Sequence, residues 1–119
     1  MAKLYEGDRL LVGELEVADT PRSRTKGLLG RKAFPQGSGM LLVGCWSIHT
    51  FFLTFQIDIV YLTGRMEVAR VVSRMAPWRL SASLRAEHVL ELPAGDAARL
   101  GIAGGMLLRV EDRGDGDEG

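Results

Sequence analysis

The sequence predicts a mostly β domain with an α+β margin: one compact β-sandwich or partly closed barrel of about seven to eight short strands, with two short helices. Three observations carry this. A chain of 119 residues and 13.0 kDa has room for a single domain with one core. Short strand-like runs recur between Gly, Pro, Asp and Thr punctuation along its length. Long helical patterns alternating with strands are absent, and no glycine cluster follows a strand to open a long helix. That argues against a doubly wound fold and against a phosphate-binding loop.

Residues 3–6 read as a strand, Gly7-Asp8 as a tight turn, and residues 9–17 as a second strand ending in clean alternation, with Glu14 and Glu16 outward and Leu15 and Val17 inward. Thr20-Pro21 is a helix start, because Thr caps free backbone N–H groups and Pro fits the first helical position. The helix is expected over 21–28, with Leu28 and Leu29 as its anchor. Residues 30–39 form a Gly-rich loop around Pro35, and 40–43 a short apolar strand. Residues 46–55 are ambiguous: Thr50, Phe51, Phe52 and Phe55 favour strand, but their spacing is irregular. The clearest strand is 57–62, turned by Thr63-Gly64-Arg65 into 66–72 as a hairpin. Residues 73–83 read as a long connection and 87–92 as a strand. Pro93 to Asp96 opens one helical turn through Leu100, stopped by Gly101. The last strand is 106–110. The domain is therefore expected over 1–110, with 111–119 a disordered acidic Gly/Asp tail.

Hydrophobic residues make up 46% of the chain and charged residues 25%. That composition excludes intrinsic disorder, a collagen repeat and a disulfide scaffold. No run of about 18 apolar residues offers a membrane span, and the charged start is not a secretory signal. A lone Cys45 suits a reducing compartment, so the expected location is cytoplasmic. Net charge is zero, but residues 1–110 hold 14 basic against 10 acidic groups. Arg22, Arg24, Lys26, Arg31 and Lys32 cluster, and no acid occurs between Asp19 and Asp58. The excess is too small for a nucleic-acid binder but enough to hold a phosphate or carboxylate locally.

Asp58 lies among apolar strand residues, on the same face as Val60 and Leu62, and Glu91 shares a face with Val89. A carboxylate there is costly unless paired. Arg24 and Arg31 are the expected partners, Arg24 for Asp58 above all, because a guanidinium grips a carboxylate bidentately. Such pairs are structural as often as functional. Cys45 stands four residues before His49; on a straight strand they are about 13 Å apart, so a thiol–imidazole dyad needs a turn at Trp46-Ser47, and Cys45 reads more simply as a small buried hydrophobe. Zinc from Cys45, His49 and His88 would lack any close-spaced ligand pair. No metal and no cofactor is expected.

The order of motifs resembles a known family. Arg24-x-x-Gly27-Leu28-Leu29-Gly30-Arg31 is followed by Gly39-Met40-Leu41-Leu42, Ile48-His49-Thr50-Phe51-Phe52, Ile57 to Leu62, and Val89-Leu90-Glu91-Leu92-Pro93-Ala94-Gly95. Over about residues 9–110 this is similar to the prokaryotic domain of unknown function 192. The resemblance implies a compact, mostly β fold and no established activity. Its recurring polar residues fall on Arg24, His49, Thr50, Asp58 and Glu91. The chain departs from the pattern at Leu53, where the family often has Met, and at Met106, where it usually has Asp.

The candidate ligand-binding set is therefore Arg24, Arg31, His49, Thr50, Asp58 and Glu91. The reading that suits it best is a small β-rich binding module for an anionic small ligand or a partner segment, without nucleic-acid or membrane partners and as a monomer. Two alternatives stand beside it: a hydrolase-like enzyme with His49 as general base and Asp58 as its orienter, and a structural adaptor in which these residues only stabilise the fold.

Overall fold

The computed structural model describes residues 2–112. Among them are nine strands and two short helices. β1 (Ala2–Glu6), β2 (Arg9–Ala18), β3 (Ser38–Val43), β5 (Ile57–Leu62), β6 (Val68–Met75), β8 (His88–Pro93) and β9 (Arg109–Asp112) form one sheet in the order β6-β5-β8-β3-β2-β1-β9. β4 (Ser47–His49) and β7 (Leu80–Ala82) form a separate two-stranded ribbon. Six of the seven sheet strands correspond to clear runs of the sequence, with β6 running on to Met75 through residues read as a connection, and the seventh, β9, overlaps the expected last strand at residues 109 and 110 alone. The ribbon comes from the ambiguous segment and from the stretch that reads as a mere connection.

All neighbouring pairs in the large sheet are antiparallel except β2 and β3. A parallel pair needs a crossover, and residues 19–37 supply it. That crossover carries α1 (Pro21–Lys26). Thr20 Oγ1 accepts from Ser23 N at 3.1 Å and Ser23 Oγ accepts from Thr20 N at 3.1 Å, a reciprocal cap. The helix stops at Lys26, short of the expected residue 28, because Gly27 turns away at φ 44°. Leu28 is buried just beyond it.

The sheet buries side chains on both faces. On one, Leu41, Val60, Leu62, Leu90 and Leu92 pack with residues of β1, β2, β9 and α2 (Asp96–Arg99). On the other, Met40, Leu42, Ile59, Tyr61 and Val89 pack with Leu28, Ile48 and Leu53, so the crossover and the ribbon cover that face. The sheet curls toward itself. Glu67 bridges Leu107, and Leu108 N donates to Met66 O at 2.9 Å. It is pinned at this corner and not closed into a barrel.

β9 extends past the expected domain end at 110. Glu111 pairs with Lys3 and Asp112 with Ala2, so these two acids belong to the sheet and not to a tail. Residues 113–119 lie outside the described residues. Among the described residues no helix is long and apolar enough to cross a membrane.

Candidate functional site

The six candidate residues do not form one cluster. In β8, Glu91 stands opposite Ile59 and Met40, whereas in β5 Asp58 stands opposite Leu92. Period-2 alternation therefore puts the two acids on opposite faces of the sheet.

Asp58 is fully buried, but its partner is not an arginine side chain. Oδ2 accepts from Gly95 N at 3.1 Å and Ala97 N at 2.8 Å, and Oδ1 accepts from Arg74 N at 2.8 Å. The expected pairing with Arg24 is thus replaced by three backbone donors. The first two are orphan N–H groups at the start of α2, which a four-residue helix cannot satisfy itself. The third sits at an irregularity in the β5–β6 ladder, where Ile57 pairs with Met75 but Ile59 with Val72, and Arg74 adopts φ 52°. Asp58 holds a bulge and a helix start together, and the proposed orienter of His49 lies on the far side of the sheet.

Thr50, also fully buried, is likewise an internal tie. Its Oγ1 donates to Ala76 O at 2.6 Å and accepts from Arg79 N at 2.9 Å, while its own N donates to Arg79 O at 2.9 Å. It locks the exit of β4 to the approach of β7. Two bulky residues on these loops, Phe52 (φ 68°) and Trp78 (φ 64°), hold left-handed backbone, which costs about 1–3 kcal/mol each.

Arg31 grips Glu16 bidentately at 2.6 and 2.7 Å. That pair raises the arginine's pKa and lowers the carboxylate's, through the shared hydrogen bonds first. Its expected partner Glu91 feels it only as a charge at a distance.

Arg24, His49 and Glu91 do converge. They line a small cleft of about 90 Å³ between the end of α1, β3, β4 and β8, shared with Lys26 and Cys45 and walled by Leu28, Leu42 and Leu53. Glu91 is 6% exposed and its Oε1 has no hydrogen-bond partner, alone in this among the buried side-chain polar atoms of the described residues. Burial pushes its carboxyl up to about 7, with the Arg31 charge opposing. Arg24 Nη1 donates to Val43 O at 3.0 Å, a single bond from a group with five donors. His49 is exposed, stacks on Phe51 at 4.8 Å, and accepts at Nδ1 from Phe51 N at 3.2 Å. With Nδ1 as acceptor, the neutral ring carries its proton on Nε2 and offers a donor.

Cys45 is half-buried, and its Sγ donates to Ser47 O at 2.9 Å. His88 Nδ1 accepts from Gly44 N at 3.1 Å. The sequence reading placed Lys26 in the basic cluster but left it out of the candidate set, and it set Cys45 aside as a small buried hydrophobe. The crossover places both, and the acid-free basic run was the signal available for Lys26.

The ribbon is what brings β4 to the cleft. Ile48 is buried as its anchor, Tyr61 Oη donates to Ser81 Oγ at 2.7 Å, and Arg70 Nη1 donates to Ala82 O at 3.0 Å.

The profile of the DUF192 family, described as "Uncharacterized ACR", matches residues 3–110. The UPF0127 protein of Pyrococcus horikoshii is 30% identical over 89 residues, 70% of this chain and 75% of the relative. A crystal structure of a protein of unknown function from Novosphingobium aromaticivorans superposes with a TM-score of 0.77 at 23% identity, covering 93% of this chain and 83% of the other. One from Sinorhizobium meliloti, provisionally described as a transcription regulator, has a TM-score of 0.77 at 21% identity, covering 92% and 91%. At those identities the two structures show a shared fold.

Proposed function

The chain belongs to the DUF192 family, a family of unknown function, and from the chemistry of its own cleft we propose a small binding module that holds the anionic end of a small ligand. The observation that carries this reading is the buried, unpartnered Oε1 of Glu91, a residue that lines the cleft together with Arg24 and Lys26. A buried polar atom without a partner costs free energy, and a ligand oxygen seated there removes that cost. Below about pH 7 the carboxyl is mostly protonated and donates to it, while Arg24 and Lys26 supply charge and His49 Nε2 a further donor. A cleft of about 90 Å³ is well below the 300–1,000 Å³ of pockets that enclose drug-sized ligands. It takes a carboxylate-sized group and leaves the remainder of a larger ligand outside.

Two features favour binding over proton abstraction by His49. Its Nδ1 is occupied by a backbone N–H, and Asp58, the carboxylate meant to orient it, is committed on the other face.

The test is an amide NMR titration with acetate and, separately, inorganic phosphate. Saturable shifts confined to residues 24–29, 42–49 and 91 are expected with one of them. Arg24→Ala should weaken that binding by about tenfold, the loss of one charge-assisted contact. Shifts scattered over the surface, or unchanged by Arg24→Ala, overturn the reading.

A further inference from the structure

The ribbon presents an apolar row on its outer side. His49 and Leu80 are directly paired across β4 and β7. Phe51 stacks on His49, Trp78 stacks on Phe51 at 5.6 Å, and Phe52 meets Trp78 edge-on at 4.6 Å. At the other end of the ribbon Trp46 O accepts from Ser83 N, which sets Trp46 beside the turn that carries Leu84. Exposure is 91% for Leu84, 74% for Leu80, 69% for Phe52, 55% for Trp78 and 51% for Trp46. Side chains this exposed protrude; they are not the walls of a groove.

The segments that carry the row hold charge of one sign. Its residues come from two stretches, 20–57 and 68–86, that contain no Asp or Glu. Arg70, Arg79 and Arg85 on the second are exposed, and Arg70 reaches the ribbon itself. Glu87, next in sequence, turns its carboxylate against Gly64 of the β5–β6 turn. Like charge disfavours a second copy of this chain as the occupant, and a protruding row suits a medium it can enter more than a surface it must fit. Tryptophan favours the headgroup level of a bilayer, and arginine pairs with lipid phosphate.

We propose that the outer side of the β4–β7 ribbon is a docking surface for an anionic phospholipid bilayer, with Phe52, Trp78, Leu80 and Leu84 entering the headgroup region and Arg79 and Arg85 meeting its phosphates. The backbone geometry supports this: Phe52 and Trp78 both hold left-handed φ, and Thr50 fixes the two loops that carry them. The sequence expectation of no membrane partner rested on the lack of an apolar span, and surface docking needs none. The cleft lies beside this surface, since His49 and Phe51 belong to both.

Both tryptophans of the chain, Trp46 and Trp78, flank the row, so intrinsic fluorescence reads the contact directly. The full chain should pellet with phosphatidylcholine–phosphatidylglycerol vesicles at low ionic strength but not with phosphatidylcholine alone, and its emission should shift to the blue. Leu80→Glu with Leu84→Glu should abolish the blue shift and lower partitioning by at least about tenfold, each leucine contributing on that order when buried. Arg79→Gln and Arg85→Gln should each lower it about fivefold. All four side chains are exposed, and circular dichroism confirms folding. No pelleting with anionic vesicles overturns the proposal, as does pelleting without a blue shift. A tryptophan response to polyglutamate or to a single-stranded oligonucleotide, with none to vesicles, also overturns it and assigns the surface to that class of partner.

Discussion

Asp58 and Glu91 are both acids on neighbouring central strands, both buried and both in apolar surroundings, yet the sheet treats them oppositely. On one face Asp58 accepts three backbone N–H groups. On the other Glu91 keeps an oxygen with no partner. The difference lies in what covers each face. Over Asp58 the chain folds a helix start and a bulge whose donors need an acceptor. Over Glu91 it folds the crossover and the ribbon, which leave a gap. A buried acid is a structural post where the backbone closes on it and an available group where it does not.

The largest expected effect breaks the structural side of that comparison. Asp58→Ala strands three backbone donors, one of them buried and two partly so, and should cost about 3–5 kcal/mol in chemical denaturation. Arg24→Ala should be mild and additive with it, because the two side chains share no bond; strong coupling would restore the ion pair that the structure replaces.

Glu91 should show itself through pH. Its carboxyl lies near 7 in the fold against an ordinary 4.5, so the native state holds the extra proton between those values. Stability should therefore fall as pH rises from about 4.5 to about 7 and level off above, by on the order of 3 kcal/mol. Glu91→Gln should remove that slope in denaturation curves taken across the range. A slope that survives the substitution would assign the titration to another group.

Thr50→Val should cost about 2 kcal/mol, since Ala76 O loses its donor and Arg79 N its side-chain acceptor. The thermal midpoint should drop accordingly. The smallest effect belongs to the exposed Arg31–Glu16 pair, where either alanine substitution should cost below about 1 kcal/mol. A larger loss would show that Arg31 supports Glu91 beyond a distant charge.

Most of the large sheet was legible because its strands are continuous, largely apolar and bounded by turn residues, and 57–62 is the clearest of them; β9 was not in full, because its charged end, Glu111-Asp112, reads as the start of a tail. Both helix starts were legible for the same local reason: Thr20-Pro21 and the Gly95 turn announce themselves in neighbouring residues. The ribbon was not. β4 and β7 are three residues each, and what holds them is remote: Thr50 to residues 76–79, Tyr61 to Ser81. No local period encodes such ties. Burial of Asp58 and Glu91 could be read from alternation, because polar residues on apolar strands stand out. Their partners could not, since pairing depends on which segments cross which face. Alternation cannot say that Asp58 would meet backbone donors in place of Arg24.

The pairing of β1 with β9 joins Ala2 to Asp112 and Tyr5 to Arg109, and it sets an order of events during synthesis. β1 can meet β2 as soon as the hairpin at Gly7 forms, a fast local step. Its other edge has no partner until residues 109–112 leave the ribosome. Through that interval residues 2–5 present an open strand edge, the feature most prone to pair with another chain. Among the described residues the strand farthest along the chain is thus the one that shields the first, and until the two meet the edge of β1 stays open to other chains.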